Sequence, residues 1–561
     1  MVFRVIGLTM ILFGLPTFRS LCAAALASIM APIAVAQQAP EDAPFTIGVQ
    51  THFQQGWPLS LMPKVGVAGA TAFRDGVRWS IVEHARGQYR FDSILPYMSA
   101  ASQFGFEPLL VFHGVHPLHD DKQTPFTEEG RLAFANFVNA TISAFPDQIR
   151  KIEVGNEINA PNFMVGPFED DPTGNYAALI KVVAQVVRRD HPQVEIMCTG
   201  AHSVALAYFR KLFEAGALAD CDAISLHPYR PVPEGVDREL EQLKAMMRDF
   251  GGEKPIYATE FGSWFEDPED APDFLVKIAT LMAASNVKGA YWYALYDQPW
   301  WPNMGLFDKD SREKPAFGTF RFISENLLPL GRPVALGDDG ADRIYAFGPD
   351  RRGVVVWGAP GRLVVDGAAV YFDAWGNSIA KPEMVGDSPI IILGLDLAVS
   401  IDRDVPAYDS LLQFGAAPWS YLAAADTGPE TELTLQESNW APYLGNRFLN
   451  PLSVSDVLIN GTVFDGAPMY LVERFTAPAS GRYEVSGIWT REGEDGDGAD
   501  IRVTTSGATL AQGIADAAEF RMGPQIVSLG EGQTLDFSVG PNAEPGGDLL
   551  RRRITIRGPL P

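Results

Sequence analysis

Cysteine is nearly absent. The chain of 561 residues has three, Cys22, Cys198 and Cys221. So few exclude a disulfide scaffold and a structural zinc cluster. Positive charge is also scarce: Lys and Arg number 44 against 69 Asp and Glu, for a net charge of −25. Such a surface repels a phosphate backbone and an anionic bilayer, so neither nucleic acid nor a membrane surface is an expected partner. There is no His-Glu-x-x-His, Gly-x-Ser-x-Gly, Cys-x-x-Cys or Walker loop, which sets aside several common chemistries. Apolar residues, at 47%, and charged ones, at 20%, are those of a folded globular protein. The length suggests two to four domains, and 53 glycines with 42 prolines imply many turns.

Residues 1–36 carry no acid and two basic residues, Arg4 and Arg19, followed by an apolar stretch from Leu21 to Val35. The stretch ends in Ala34-Val35-Ala36, the small-x-small pattern of a signal-peptidase site. The expectation is an export signal cleaved after Ala36. A retained anchor is the alternative, but Pro16 and Arg19 interrupt the segment, and neither apolar piece reaches the roughly 20 residues that span a bilayer.

From residue 45 to 325 short apolar runs alternate with amphipathic stretches. The runs are Thr46–Gln50, Ala70–Asp75, Glu107–Phe112, Lys151–Val154, Glu195–Thr199, Ala223–Leu226, Pro255–Thr259 and Gly289–Tyr293. Between them, Phe134, Phe137, Val138 and Ile142 keep helical spacing, as do Tyr176, Leu179, Ile180, Val183 and Val187. Thr127, followed by Glu128 and Glu129, reads as a helix start. Eight strand–helix units predict a (β/α)8 barrel over 37–330. An open doubly wound sheet is the runner-up, without a Gly-x-Gly-x-x-Gly to support it. In this scheme Cys198 lies near the top of the fifth strand and Cys221 below the sixth, roughly 17 Å apart in height. That exceeds the roughly 7 Å a disulfide spans, so two free thiols are expected. After Pro329 alternating runs broken by Gly, Pro and Asp predict two all-β sandwich or jelly-roll domains, 331–404 and 405–561.

Active sites of such barrels lie at the C-terminal strand ends. The fourth strand leads into Asn156-Glu157 and the seventh into Thr259-Glu260-Phe261-Gly262. The two glutamates are 103 residues apart. Three barrel units span roughly 94, so the carboxylates face each other across the mouth. Facing carboxylates suit glycoside hydrolysis, which needs no metal or organic cofactor.

With these residues in place, the segment 45–330 resembles the clan A glycoside hydrolases, most nearly the family 39 type that includes β-xylosidases and bacterial exopolysaccharide hydrolases. The resemblance implies Glu157 as acid/base, Glu260 as nucleophile and a retaining mechanism. It implies Asn156 on the substrate 2-hydroxyl. Arg74, Trp79, Glu83, Gly87, Tyr89 and Phe91 match a second-strand segment, in which His84 replaces a proline. Arg74 is then the cation beside the nucleophile, with Arg78 the choice if the register slips. His227 and Tyr229 follow the sixth strand, and Tyr229 is expected on Glu260. Of Tyr291-Trp292-Tyr293, Trp292 is expected under the sugar, although alternation makes at least one of the three core. His52, Trp57, His113 and His116 end the first and third strands as further cleft candidates. Tyr296, Trp300 and Trp301 are candidate subsite walls.

Residues 430–561 resemble a bacterial jelly-roll module, through Asn439-Trp440, Arg474-Phe475-Thr476-Ala477-Pro478 and Leu535-Asp536-Phe537-Ser538-Val539-Gly540-Pro541. The module is read as a spacer or a carbohydrate-binding unit. The acidic turn 494–500 reads as a hydrophilic hairpin rather than a Ca²⁺ loop, and Arg551-Arg552-Arg553 as a solvated strand edge. The whole reads as an exported retaining β-glycosidase acting on a polysaccharide or oligosaccharide. The alternatives are a non-catalytic glycan-binding envelope protein and a transglycosidase.

Overall fold

In the computed structural model the described residues are 45–337, 340–493, 496–506, 508–516, 519–542 and 548–561. The expected export signal and the first two residues of the acidic turn lie outside them. Eight parallel strands close a barrel: β1 (Thr46–Gln50), β2 (Ala72–Arg78), β3 (Glu107–His113), β4 (Lys151–Val154), β5 (Glu195–His202), β6 (Ala223–His227), β7 (Ile256–Phe261) and β8 (Gly289–Trp292). Each pairs with its neighbours in sequence and β1 pairs with β8, which excludes the open sheet. The helices that follow the strands are α1 (Met62–Val67), α2 (Leu95–Phe104), α3 (Glu128–Ala144), α4 (Pro172–Asp190), α5 (Leu206–Glu214), α6 (Val236–Asp249), α7 (Ala271–Ala284) and α8 (Pro315–Phe322). α3 begins where Thr127 accepts a bond from the Gly130 amide at 3.0 Å, and it buries Phe134, Phe137, Val138 and Ile142. α4 begins at Asp171, which caps the Gly174 amide, and buries Tyr176 to Val187 along one face.

The barrel interior is filled at its floor by Ala72, Leu109, Met197, Ala223, Tyr257 and Tyr291. Residue 48 must be glycine, because a Cβ there would lie 2.7 Å from the Tyr291 ring.

Cys198 and Cys221 form a disulfide, with Cα atoms 5.8 Å apart, rather than the expected free thiols. The strand reading misjudged both heights. β5 runs on to His202, so Cys198 is in mid-strand. Cys221 precedes β6 and follows the turn Ala217–Asp220, so it reaches the barrel from the helix layer into which Cys198 points.

The chain after Leu330 is built of strands among the described residues. A six-stranded antiparallel sheet and a three-stranded one share a core of Ile344, Val354, Val356, Leu363, Val385 and Ile392. The opposite face of the larger sheet, with Tyr345, Phe347, Val355 and Trp357, packs into the core of the barrel. From Ala407 on, an eight-stranded and a seven-stranded sheet enclose a second core around Trp419, Phe475, Tyr483, Trp489 and Phe537. Asp456 ties this last pair to the barrel, accepting from Arg230 at 2.7 Å and from Arg238. The triple arginine is not a solvated edge. Its strand, Leu550–Leu560, is paired on both sides, and Arg552 is buried against Glu473.

Candidate active site

The C-terminal ends of the barrel strands open into a cleft of about 740 Å³. Below its floor lies a buried charge network that the strand pattern creates. Glu153, in mid-β4, points inward and is fully buried. It accepts from Arg74 Nε and from Thr259 Oγ1, both at 2.6 Å. Arg74 in turn bonds Gln50 Oε1 at 2.7 Å, Asn156 Oδ1 at 2.8 Å and Glu260 Oε1. One guanidinium thus holds two carboxylates, which raises its own pKa and lowers that of Glu153 despite burial.

Strict alternation would turn Thr259 inward and Glu260 outward. Instead, β7 carries one extra residue. Ala258 pairs with Ala290 and Phe261 with Trp292, so three steps on β7 match two on β8. This bulge lets Thr259 reach Glu153 while Glu260 faces the cleft. The Tyr229 hydroxyl donates to Glu260 Oε2 at 2.7 Å, and burial, with the Glu260 charge beside it, keeps the phenol well above its ordinary pKa.

Across the cleft, Glu157 follows β4 with a left-handed backbone, φ 46°. A non-glycine residue held there is strained, as functional positions often are. Its Oε1 lies 3.0 Å from His202 Nδ1 and 3.2 Å from His227 Nδ1. His227 is fully buried, and its Nδ1 is also 3.7 Å from Glu260 Oε2, so the imidazole stands between the two acids. Burial pushes the Glu157 carboxyl up, but the bonds from His202 and His227 outweigh it and bring it down to about 2. Oxygens of Glu157 and Glu260 lie within 4.8 Å of each other. The group of Glu157, His227 and Glu260 has ligand atoms at metal-site spacing. Arg74 already occupies Glu260 Oε1, however, and would repel a cation there.

The remaining candidates divide. His52 and His113 line the cleft, and burial lowers the pKa of each to about 4, so both are neutral near pH 7. Trp292 does not line it. It points outward, fully buried against Phe261 and Phe265, with its indole N–H on the Met304 carbonyl. Its neighbour Tyr293 takes the inward position and lines the cleft instead. His116 is also elsewhere, in a buried group with Trp79, Glu83 and His119, where Glu83 accepts from Trp79, His119 and the Gly87 amide. Arg78 is exposed and Tyr296 is buried, packed on Phe307. Trp57 stands behind His52. Trp301 lines the cleft edge-on to Trp264, and Trp300 is exposed outside it.

Sequence reasoning passed over Glu153, His202 and Tyr293. A glutamate in mid-strand of a buried parallel strand was a signal for the first. His202 was hidden because the fifth strand is three residues longer than its apolar run.

No protein-family model and no curated protein sequence matches the chain. Among solved structures, the fold is similar to that of a family 39 glycoside hydrolase from the gut symbiont Bacteroides cellulosilyticus WH2. The two are 21% identical, with 63% of this chain and 81% of that chain covered and a TM-score of 0.54. A GH39 β-xylosidase from Caulobacter crescentus aligns over 64% of this chain and 98% of its own, at 14% identity and a TM-score of 0.47. A GH39 enzyme from Xanthomonas axonopodis pv. citri covers 89% of this chain and 95% of its own, at 13% identity and a TM-score of 0.45.

Proposed function

We propose that this protein is a retaining β-glycoside hydrolase acting on a polysaccharide or oligosaccharide. The observation that carries the reading is the pair Glu157 and Glu260, with oxygens within 4.8 Å across an open cleft. Retaining enzymes hold their carboxyl groups about 5–5.5 Å apart, and inverting ones about 6.5–9.5 Å, to admit a water. The two acids have different partners: Arg74 and Tyr229 on Glu260, His202 and His227 on Glu157. Glu260 accepts hydrogen bonds from Arg74 and from the Tyr229 hydroxyl, which hold it in place to attack the anomeric carbon. Glu157 Oε1 is held by two imidazoles, of His202 and His227, which fix the carboxyl opposite Glu260.

In the first step Glu260 forms a bond to the anomeric carbon as the bond to the leaving oxygen breaks, and Glu157 gives that oxygen its proton. In the second, Glu157 takes a proton from water, whose oxygen displaces Glu260. Asn156, oriented by Arg74, reaches the substrate 2-hydroxyl, and Tyr293, His52 and His113 line the sugar site. Export is part of the proposal. It is supported by the composition of residues 1–36 and by the Cys198–Cys221 disulfide, which persists in oxidising compartments. A bacterial exopolysaccharide is the substrate class we favour.

The test is product release, followed by mass spectrometry, on β-linked oligosaccharides and bacterial exopolysaccharides. Wild type releases products with retained configuration and Glu260→Ala releases none. Glu157→Gln loses cleavage of poor leaving groups and spares the first step on activated aryl glycosides. Equal cleavage by wild type and Glu260→Ala removes the nucleophile assignment. Binding without cleavage by wild type favours a glycan-binding protein, and transfer to an added sugar favours a transglycosidase.

A further inference from the structure

Two side chains from the C-terminal sheets stand at the barrel mouth without a part in the chemistry above. Trp440 meets His202 edge-on, ring centroids 4.9 Å apart, and the same imidazole lies 3.0 Å from Glu157. The segment that carries Trp440 is pinned to the barrel. The Asn439 carbonyl accepts from Asn159 Nδ2 at 3.0 Å, the Ser438 carbonyl from the Ala207 amide at 2.9 Å, and Glu437 from Arg210 Nε at 2.6 Å. Yet Trp440 remains 47% exposed. Arg551, on the strand Leu550–Leu560, lines the cleft. Glu492 fixes its guanidinium through Nε and Nη2, which leaves Nη1 for a ligand.

We propose that the C-terminal sheets build the leaving-group side of the substrate site, where Trp440 stacks on a departing pyranose ring and Arg551 donates to its hydroxyls. The inference deepens the glycosidase reading and rests on it. The general acid gives its proton to the leaving oxygen, so the departing sugar lies on the Glu157 side of the scissile bond. That is the side to which His202 and Trp440 belong. An indole offers a flat apolar surface to the C–H face of a sugar, and a pinned segment presents it at low entropic cost. The charge of Arg551 is balanced by Glu492, which suits neutral hydroxyls rather than an acidic substituent. Substrate choice on this side is then set about 280 residues downstream of the acid.

The experiment compares kcat/KM on two substrates with the same glycone, a β-linked disaccharide and the methyl β-glycoside. Both have poor leaving groups and need the acid, but only the disaccharide places a second ring against Trp440. In the full-length protein, Trp440→Ala lowers the disaccharide-to-methyl ratio at least about tenfold, equivalent to about 1.4 kcal/mol. Trp440→Phe, which keeps a ring, restores most of it. Arg551→Ala, which touches neither His202 nor Glu157, lowers the ratio in the same direction. A parallel fall on both substrates means that Trp440 acts only through His202 and overturns the proposal, as does an unchanged ratio. If Trp440→Ala does not fold, an unchanged ratio in Arg551→Ala is decisive against it. Wild type that releases no product from these glycosides, from longer β-linked oligosaccharides or from exopolysaccharides refutes the glycosidase reading itself.

Discussion

Arg74 is where charge, packing and chemistry meet. It is buried with Glu153 and Glu260, and removing one member of such a group leaves a charge unpaired at a cost of about 3–5 kcal/mol. The arrangement makes sense as restraint: Glu153 anchors the guanidinium from below so that it meets Glu260 from one direction. His202 has the complementary task on Glu157. As an acid, Glu157 must carry a proton, and hydrogen bonds from two imidazoles lower its pKa to about 2. The fraction protonated, and with it kcat/KM on a poor leaving group, therefore falls as pH rises. Deleting one donor raises that pKa. We expect His202→Ala to move the alkaline limb of the profile to higher pH, measured on a methyl glycoside. A limb that stays in place would show that His202 does not set the acidity of Glu157.

At the scale of elements, the disulfide joins the middle of β5 to the approach of β6, closing a loop over 23 residues. The loop-entropy argument gives about 3 kcal/mol for such a span. Cys198→Ala with Cys221→Ala should lower stability by about that much in urea titrations while kcat stays near wild type, because both sulfurs lie in the helix layer and not in the cleft. A change below about 0.5 kcal/mol would count against the estimate. This element also marks the edge of what the sequence discloses. The eight strands, the Thr127 cap and the Glu157–Glu260 pair follow from local periodicity and spacing, and the structure places them within a few residues. Periodicity does not report strand stagger, so the cysteines were put at the wrong heights. Nor does it report which phase of an alternating run faces inward, so periodicity alone does not choose Tyr293 over Trp292. Contacts such as Asn159 to Asn439 have no local signature at all.

For the whole molecule, barrel and sheets share more than a surface. Tyr345, Phe347, Val355 and Trp357 sit in the barrel's own core, and the Trp357 indole donates to Glu234 at 3.1 Å. Asp456 and its two arginines secure the second sheet pair, with Asp456 and Arg230 both largely buried. Parts tied in this way unfold together. Scanning calorimetry should show one main transition, and Asp456→Ala, which removes the carboxylate shared by Arg230 and Arg238 and leaves buried Arg230 with Glu239 alone, should bring out an earlier one. Two well-separated transitions in wild type would mean that the sheets are independent.

The bulge in β7 has a bearing on how relatives of this chain are found. Thr259 and Glu260 face inward together because one residue is out of phase with β8. In a comparison of related chains, a single-residue gap at this point is therefore not an alignment error to be smoothed away. Shifting it by one position exchanges a hydroxyl beneath the floor for the carboxylate above it. A search pattern for this site should fix the spacing from Glu260 to Phe261 and Tyr293, and leave the spacing back along the strand free.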